Sequence, residues 1–143
     1  MEVPVLLLRE SARLPVRAHA HDAAFDLHAA EDVVLAPGAR ATVPTGIALG
    51  LPPETAALVL PRSGLAARHG VTLLNAPGLI DAGYRGEIFV IMLNTDRDAP
   101  FAIAAGDRIA QLLVTDLADV SLVEAAELDA TARGPRGLGS TGV

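Results

Sequence analysis

A chain of 143 residues suits one domain with a real core, and its 51% apolar content includes no run near the ~20 residues needed to cross a bilayer. The absence of cysteine excludes disulfides and thiolate metal sites, and a net charge of −6 disfavours a general nucleic-acid surface, which wants clustered cations. All 11 basic residues are arginine, the better bidentate partner for phosphate or carboxylate, although a proteome bias accounts for the overall count.

The amino end carries Glu2 and Pro4 and lacks a basic flank, so no secretory signal is expected and the cytoplasm is the expected compartment. Val3 to Arg9 reads as a first strand, with Pro4 acceptable near its start. Glu10 to His21 is a polar connector; His19, His21 and Asp22 offer either a set of metal ligands or a plain solvated loop. Phe25 to His28 alternates as a strand, Asp32 to Leu35 leads into a Pro37-Gly38 turn, and Ala39 to Leu51 is extended but interrupted at Pro44 and Gly46. Pro52-Pro53-Glu54 turns the chain into Ala56 to Leu60. The only expected helix runs from Ser63 to Arg68, capped by Ser63 and ended by Gly70.

Val71 to Leu74, Glu87 to Asn94, Phe101 to Ile103, Ile109 to Leu117 and Val120 to Glu124 supply the remaining strands. Short strands with turn signals every ~8–12 residues indicate an all-β sandwich, barrel or jelly roll. From Arg133 onward the chain is too poor in apolar residues to fold alone, which makes a mobile tail.

Several segments carry chemistry. Asn75 to Glu87 holds a Pro77-Gly78 turn, a second bend at Asp81 to Gly83, and Leu79 and Ile80 as one arm of a hairpin. Asp81 and the only tyrosine, Tyr84, lie on this turn structure with the strand Ile88 to Leu93 behind it. Two readings are open: a reactive Asp81, or one that caps its own turn. Pro61-Arg62-Ser63-Gly64 puts a guanidinium, a hydroxyl and free N–H groups at a helix mouth, which suits an anion and is equally an ordinary N-cap. Gly106 to Leu112 opens a strand with a turn and an Asp107–Arg108 ion pair. Gln111, in an apolar run, needs either a ligand or a neighbouring strand as partner. The tail, with Arg133, Gly137, Gly139, Ser140 and Thr141, has the composition of a phosphate loop. It lacks the lysine and spacing of a Walker motif, and it fails the G-x-S-x-G elbow because Leu138 takes the first glycine position.

Asp26, the 61–66 segment, the 75–87 turn structure, the 106–112 strand and the glycine-rich tail recur in the order and spacing of one family. The chain strongly resembles the trimeric dUTPases (deoxyuridine triphosphate nucleotidohydrolases), with all five family motifs matched from about residue 22 to residue 142. The resemblance implies an all-β, jelly-roll-like barrel over residues 1–130 and a flexible arm over 131–143. It implies a homotrimer with active sites between subunits, each closed by the arm of a third chain. The implied reaction is Mg²⁺-dependent hydrolysis of dUTP to dUMP and pyrophosphate by water attack on the α-phosphorus. That reaction limits uracil in DNA and supplies dUMP for thymidylate synthesis; neither a nucleic acid nor a membrane is an implied partner.

By similarity, Asp81 orients and deprotonates the attacking water. The Asn75 side chain and backbone groups of the stretch from Asn75 to Tyr84, Ile80 among them, read uracil, and Tyr84 packs on the deoxyribose and leaves no room for a 2′-hydroxyl. Arg62, Ser63, Gly64 and Gln111 hold the phosphates, while Arg133, Leu138, Gly139, Ser140 and Thr141 close over the nucleotide. Asp26 touches Mg²⁺ through a water, a mode that suits an ion reluctant to dehydrate. Two positions depart from the pattern. Ala24 stands where the family usually has Gly, tolerable unless that backbone needs positive φ. Leu138 replaces the aromatic that stacks on uracil, which implies weaker substrate affinity.

Two rivals remain beside this reading. The dCTP deaminase branch of the same fold carries Ser and Trp where Gly64 and Tyr84 stand here. A non-catalytic nucleotide sensor would not need Asp26, Arg62, Asp81 and Arg133 together.

Overall fold

The structure, a computed structural model, describes residues 1–137. It has the expected all-β, jelly-roll-type architecture, as antiparallel sheets around one core rather than a closed barrel. The strands are β1 (Val5–Leu7), β2 (Phe25–His28), β3 (Val33–Leu35), β4 (Arg40–Pro44), β5 (Ile47–Leu49) and β6 (Thr55–Leu60). After α1 (Ser63–His69) come β7 (Val71–Leu73), β8 (Gly78–Asp81), β9 (Phe89–Asn94), β10 (Phe101–Ile103) and β11 (Arg108–Asp116). No helix among the described residues is long and apolar enough to cross a membrane.

The sheet that matters for function has the order β2-β11-β6-β8; a second runs β4-β9-β7, and β1-β5 and β10-β3 form pairs. Alternation drives the packing: on β9, Val90, Met92 and Asn94 point inward while Phe89 is exposed. Leu27, Val43, Ile47, Val59, Ile88, Ile109 and Leu112 complete the core between the sheets. Asn94 is fully buried but satisfied, donating to the carbonyls of Leu35 (3.2 Å) and Ala99 (2.9 Å) and accepting from the Asp96 N–H (3.0 Å). The extended stretch 39–51 divides at Gly46, whose φ of +71° favours glycine.

Three local expectations change. Val120 to Glu124 is not a strand: both edges of β11 are taken by β2 and β6, and residues 116–137 are exposed, with Leu122 at 96%. The apolar alternation of this segment states only that it can be extended, and it joins none of the sheet edges of the described residues. Leu79 and Ile80 do form a strand, but they do not form a hairpin with a sequence neighbour. Instead β8 pairs with β6 (Leu58↔Leu79, Ala57↔Ile80), while β7 and β9 pair with each other in the other sheet. Ser63 does not cap α1, since the N-cap is Arg62 with no side-chain bond; Gly70 ends the helix in the left-handed conformation as expected.

Candidate active site

At one end of the main sheet, cross-strand register places Asp26 of β2 opposite Gln111 of β11, and Gln111 opposite Leu60 of β6. Pro61 then carries the chain from β6 to Arg62. The Asp26 carboxylate, 8% exposed, lies 3.6 Å from Arg62 Nε and 3.3 Å from Arg108 Nη1, and Arg62 Nη1 donates to the Arg108 carbonyl at 2.8 Å. Two guanidiniums around one carboxylate leave a surplus positive charge, and Arg108 is half exposed. A cleft of about 260 Å³ opens beside them, lined by Arg62, Leu65, Phe101, Arg108 and the carboxylate-bearing Asp107, which offsets part of that charge. Ser63 is exposed, and neither its hydroxyl nor the Gln111 amide makes a side-chain hydrogen bond among the described residues. The open choice for Gln111 thus falls away from a neighbouring strand.

Arg108 is the residue sequence reasoning missed. Its expected partner was Asp107, but Asp107 Oδ2 instead accepts the Ala104 N–H at 2.9 Å, closing its own turn. Arg108 points across to a carboxylate 82 residues away, a pairing that no local signal encodes. His28 lies behind the cluster with its Nδ1 buried and unpartnered. Burial above all, with Arg13, Arg108 and Arg62 adding to it against an opposing Asp26, holds this imidazole below its ordinary value of 6.5. The folded chain therefore disfavours the protonated form, so this part of stability is present above the unfolded value and is lost as pH falls through the folded one. Tm should drop on acidification, and His28→Gln should flatten that part of the curve.

At the opposite end of β6, Ala56 pairs with Asp81. Asp81 is exposed and its carboxylate makes no hydrogen bond among the described residues; the turn closes through backbone, Tyr84 N–H to the Asp81 carbonyl at 3.0 Å. The turn-capping reading of its side chain fails on that geometry. A cleft of about 220 Å³ is lined by Leu79, Ile80, Asp81, Tyr84, Glu87 and Phe89. The Tyr84 ring lies over Gly86, where an added Cβ would come within 2.5 Å of the phenolic oxygen, and its hydroxyl donates to the Glu87 carbonyl at 2.8 Å. The exposed Asn75 side chain covers Gly78.

The two groups do not meet within one chain. Ala56 to Leu60 spans four residues of β6, about 13 Å at ~3.3 Å per residue, and β2 lies three strands from β8 at ~4.8 Å each. Asp26 and Asp81 are therefore roughly 20 Å apart along the sheet. Arg133 belongs to neither group: it is exposed, and its Nε donates to the Arg136 carbonyl at 3.3 Å. Leu138, Gly139, Ser140 and Thr141 lie outside the described residues. His19, His21 and Asp22 make no metal cluster among the described residues; Asp22 Oδ2 accepts the His19 N–H at 2.9 Å in a local turn. Ala24 is not at positive φ, so the missing glycine costs the backbone nothing there.

The dUTPase family model matches residues 10–142. A deoxyuridine 5'-triphosphate nucleotidohydrolase of Thermobifida fusca is 56% identical over 99% of this chain and 79% of its own length. The enzyme of the same name from Leifsonia xyli is 53% identical over 99% of this chain and 91% of its own. Among solved structures, the dUTPase of Staphylococcus bacteriophage 80alpha with dUPNHPP superposes with a TM-score of 0.92 at 30% identity, covering 99% of both chains. A variant dUTPase from phage phi11 of S. aureus, described for the coordination of a structural Mg(II) ion, gives 0.83 at 28% identity over 89% of this chain and 98% of that one. A family match across nearly the whole chain, with relatives more than 50% identical, places this chain in the dUTPase family.

Proposed function

We propose that this dUTP diphosphatase cleaves dUTP by water attack on the α-phosphorus, releasing dUMP and pyrophosphate. The observation that carries the reading is the Asp26–Arg62–Arg108 cluster, whose two guanidiniums line an open cleft at the sheet end that also holds Ser63 and Gln111. Arg62, Ser63, Gly64 and Gln111 bind the triphosphate there. Asn75 and the backbone near Ile80 read uracil. A snug turn excludes the 5-methyl of thymine, and cytosine's altered donors and acceptors leave polar groups unpaired. Tyr84 packs on the deoxyribose, and Asp81, with a free exposed carboxylate, orients the water and takes its proton. The dUTP analogue in the phage relative supports this choice of substrate.

Asp26 fits Mg²⁺ at one remove. Both of its oxygens face guanidiniums, and no group of three His, Asp or Glu side chains gathers among the described residues, so these offer no cage for a bare ion. A hydrated ion carried on the triphosphate, touched by Asp26 through water, matches that donor set. When bound, Mg²⁺ supplies charge neutralisation on the phosphates.

The roughly 20 Å between Asp26 and Asp81 supports a homotrimer with shared sites: a single chain cannot present both to one nucleotide. Residues 1–130 form the β domain in this reading. Residues 131–143 form the arm, with Arg133, Leu138, Gly139, Ser140 and Thr141 closing over the nucleotide and excluding water. The enzyme acts in the cytoplasm, limiting uracil incorporation into DNA and supplying dUMP for thymidylate synthesis.

The test is product analysis with dUTP, dCTP and dTTP in the presence of Mg²⁺. Pyrophosphate and dUMP from dUTP alone are expected, whereas deamination of dCTP would sink the reading. Leu138→Phe should lower KM for dUTP, because a π-face replaces an aliphatic cover on the base; an unchanged KM counts against a role for Leu138 on the uracil.

A further inference from the structure

We infer that Arg9 and Glu87 form a clamp that sets the position of Tyr84, making Arg9 a positioning residue for discrimination between deoxyribose and ribose. The inference rests on the reading of Tyr84 as the residue packed on the sugar. Arg9 lies two residues past β1, far in sequence from the acidic turn. Its Nε and Nη2 donate to Glu87 Oε1 and Oε2, each at 3.0 Å, and Oε1 also accepts the Gly46 N–H at 2.9 Å. The Glu87 side chain is only 14% exposed, so this carboxylate is largely withdrawn from water with three donors on it. The parallel fork fixes orientation as well as distance. Gly46 contributes its N–H from a left-handed backbone, so the clamp ties the turn both to the end of β1 and to the break between β4 and β5.

The same residue's main-chain carbonyl receives the Tyr84 hydroxyl at 2.8 Å. Tyr84 is 44% exposed, and its remaining support is the flat face offered by Gly86. The ring is thus held at its hydroxyl end by a peptide whose side chain is locked by Arg9. Releasing Glu87 lets that peptide and the ring shift together. A gate that excludes one hydroxyl by contact loses selectivity over displacements well below those that unfold a turn. Arg9 also contacts Glu31, but that carboxylate is 52% exposed and leads nowhere near the turn, which provides an internal control.

The experiment measures kcat and KM for dUTP and for UTP with Mg²⁺ on the full chain. Arg9→Gln should lower the dUTP-to-UTP ratio of kcat/KM by about tenfold, chiefly through a lower KM for UTP. Glu31→Gln should leave the ratio unchanged. Arg9→Lys keeps the charge without the fork and should fall between. In the Tyr84→Phe background, where the linking hydroxyl is gone, Arg9→Gln should have no further effect on the ratio. If Arg9→Gln lowers Tm and total activity but keeps the ratio, the clamp is structural only and the inference is overturned. Should Arg9→Gln fail to fold, Glu87→Gln tests the same link, and an unchanged ratio there overturns it equally. Tyr84→Ala separates the two levels. A ratio unmoved by Tyr84→Ala removes the sugar-gate reading itself, whereas a ratio lost in Tyr84→Ala but kept in Arg9→Gln removes only the clamp.

Discussion

Asp81→Asn should lower kcat for dUTP by about 10²–10⁴-fold, with KM nearly unchanged and the solution mass that of the parent chain. Asparagine keeps the size and one oxygen of aspartate but cannot accept the proton of an attacking water. The substitution is unusually clean here. The Asp81 carboxylate is exposed and makes no hydrogen bond among the described residues, while the strand and turn at this position are held by backbone, β8 to β6 and Tyr84 N–H to the Asp81 carbonyl. Nothing that maintains the fold is removed, so a loss of rate at constant Tm reports chemistry. A carboxylate whose function was to cap its turn would be replaced by asparagine with little effect. Turnover within a few-fold of the parent would therefore remove Asp81 as the base. The same change at Asp26 is a poorer probe, because that carboxylate is nearly buried between Arg62 and Arg108 and its loss disturbs their placement as well.

What the sequence made legible follows from the range of each interaction. Strand periodicity, the Gly70 helix end and the turns at 37–38 and 82–83 are local, and they appear where the pattern places them. The pairing of β8 with β6 was not legible, because an apolar pair such as Leu79-Ile80 states that it is extended and says nothing of which edge it meets. Val120 to Glu124 shows the converse: a sound local strand pattern needs a partner edge, and this segment meets none among the described residues. The site residues were readable only as a set in family order. Arg62 and Ser63 alone are an ordinary helix mouth, and their weight came from Asp26, Asp81 and Gln111 occurring at the matching distances along the chain. Arg108 and Arg9 escaped for a shared reason: each bonds to a carboxylate more than seventy residues away, at separations of 82 and 78. A guanidinium carries no mark of its destination.

Two inactive variants should restore each other. Asp81→Asn retains the phosphate cluster, and Arg62→Gln retains the acidic turn; co-expressed in equal amounts, they should recover about a quarter of parental activity. The figure follows from geometry. If a site takes Arg62 from one copy and Asp81 from another, each contribution is intact with a chance of about one half, and the two draws are independent in a randomly assembled ring. If both residues came from one chain, every site would carry a defect and the mixture would stay at the sum of its parents. The double variant, carrying both changes in one chain and mixed equally with the parent, gives the complementary reading. About half of parental activity remains if sites lie within a chain, and about a quarter if they are shared. The separation of roughly 20 Å between Asp26 and Asp81 favours the shared outcome. In the proposed reaction a dUTP α-phosphate held by Arg62 lies within reach of a water on Asp81, whereas within one chain the two lie at opposite ends of β6. A second copy that turns its acidic end toward the first copy's arginines satisfies both demands without moving either sheet.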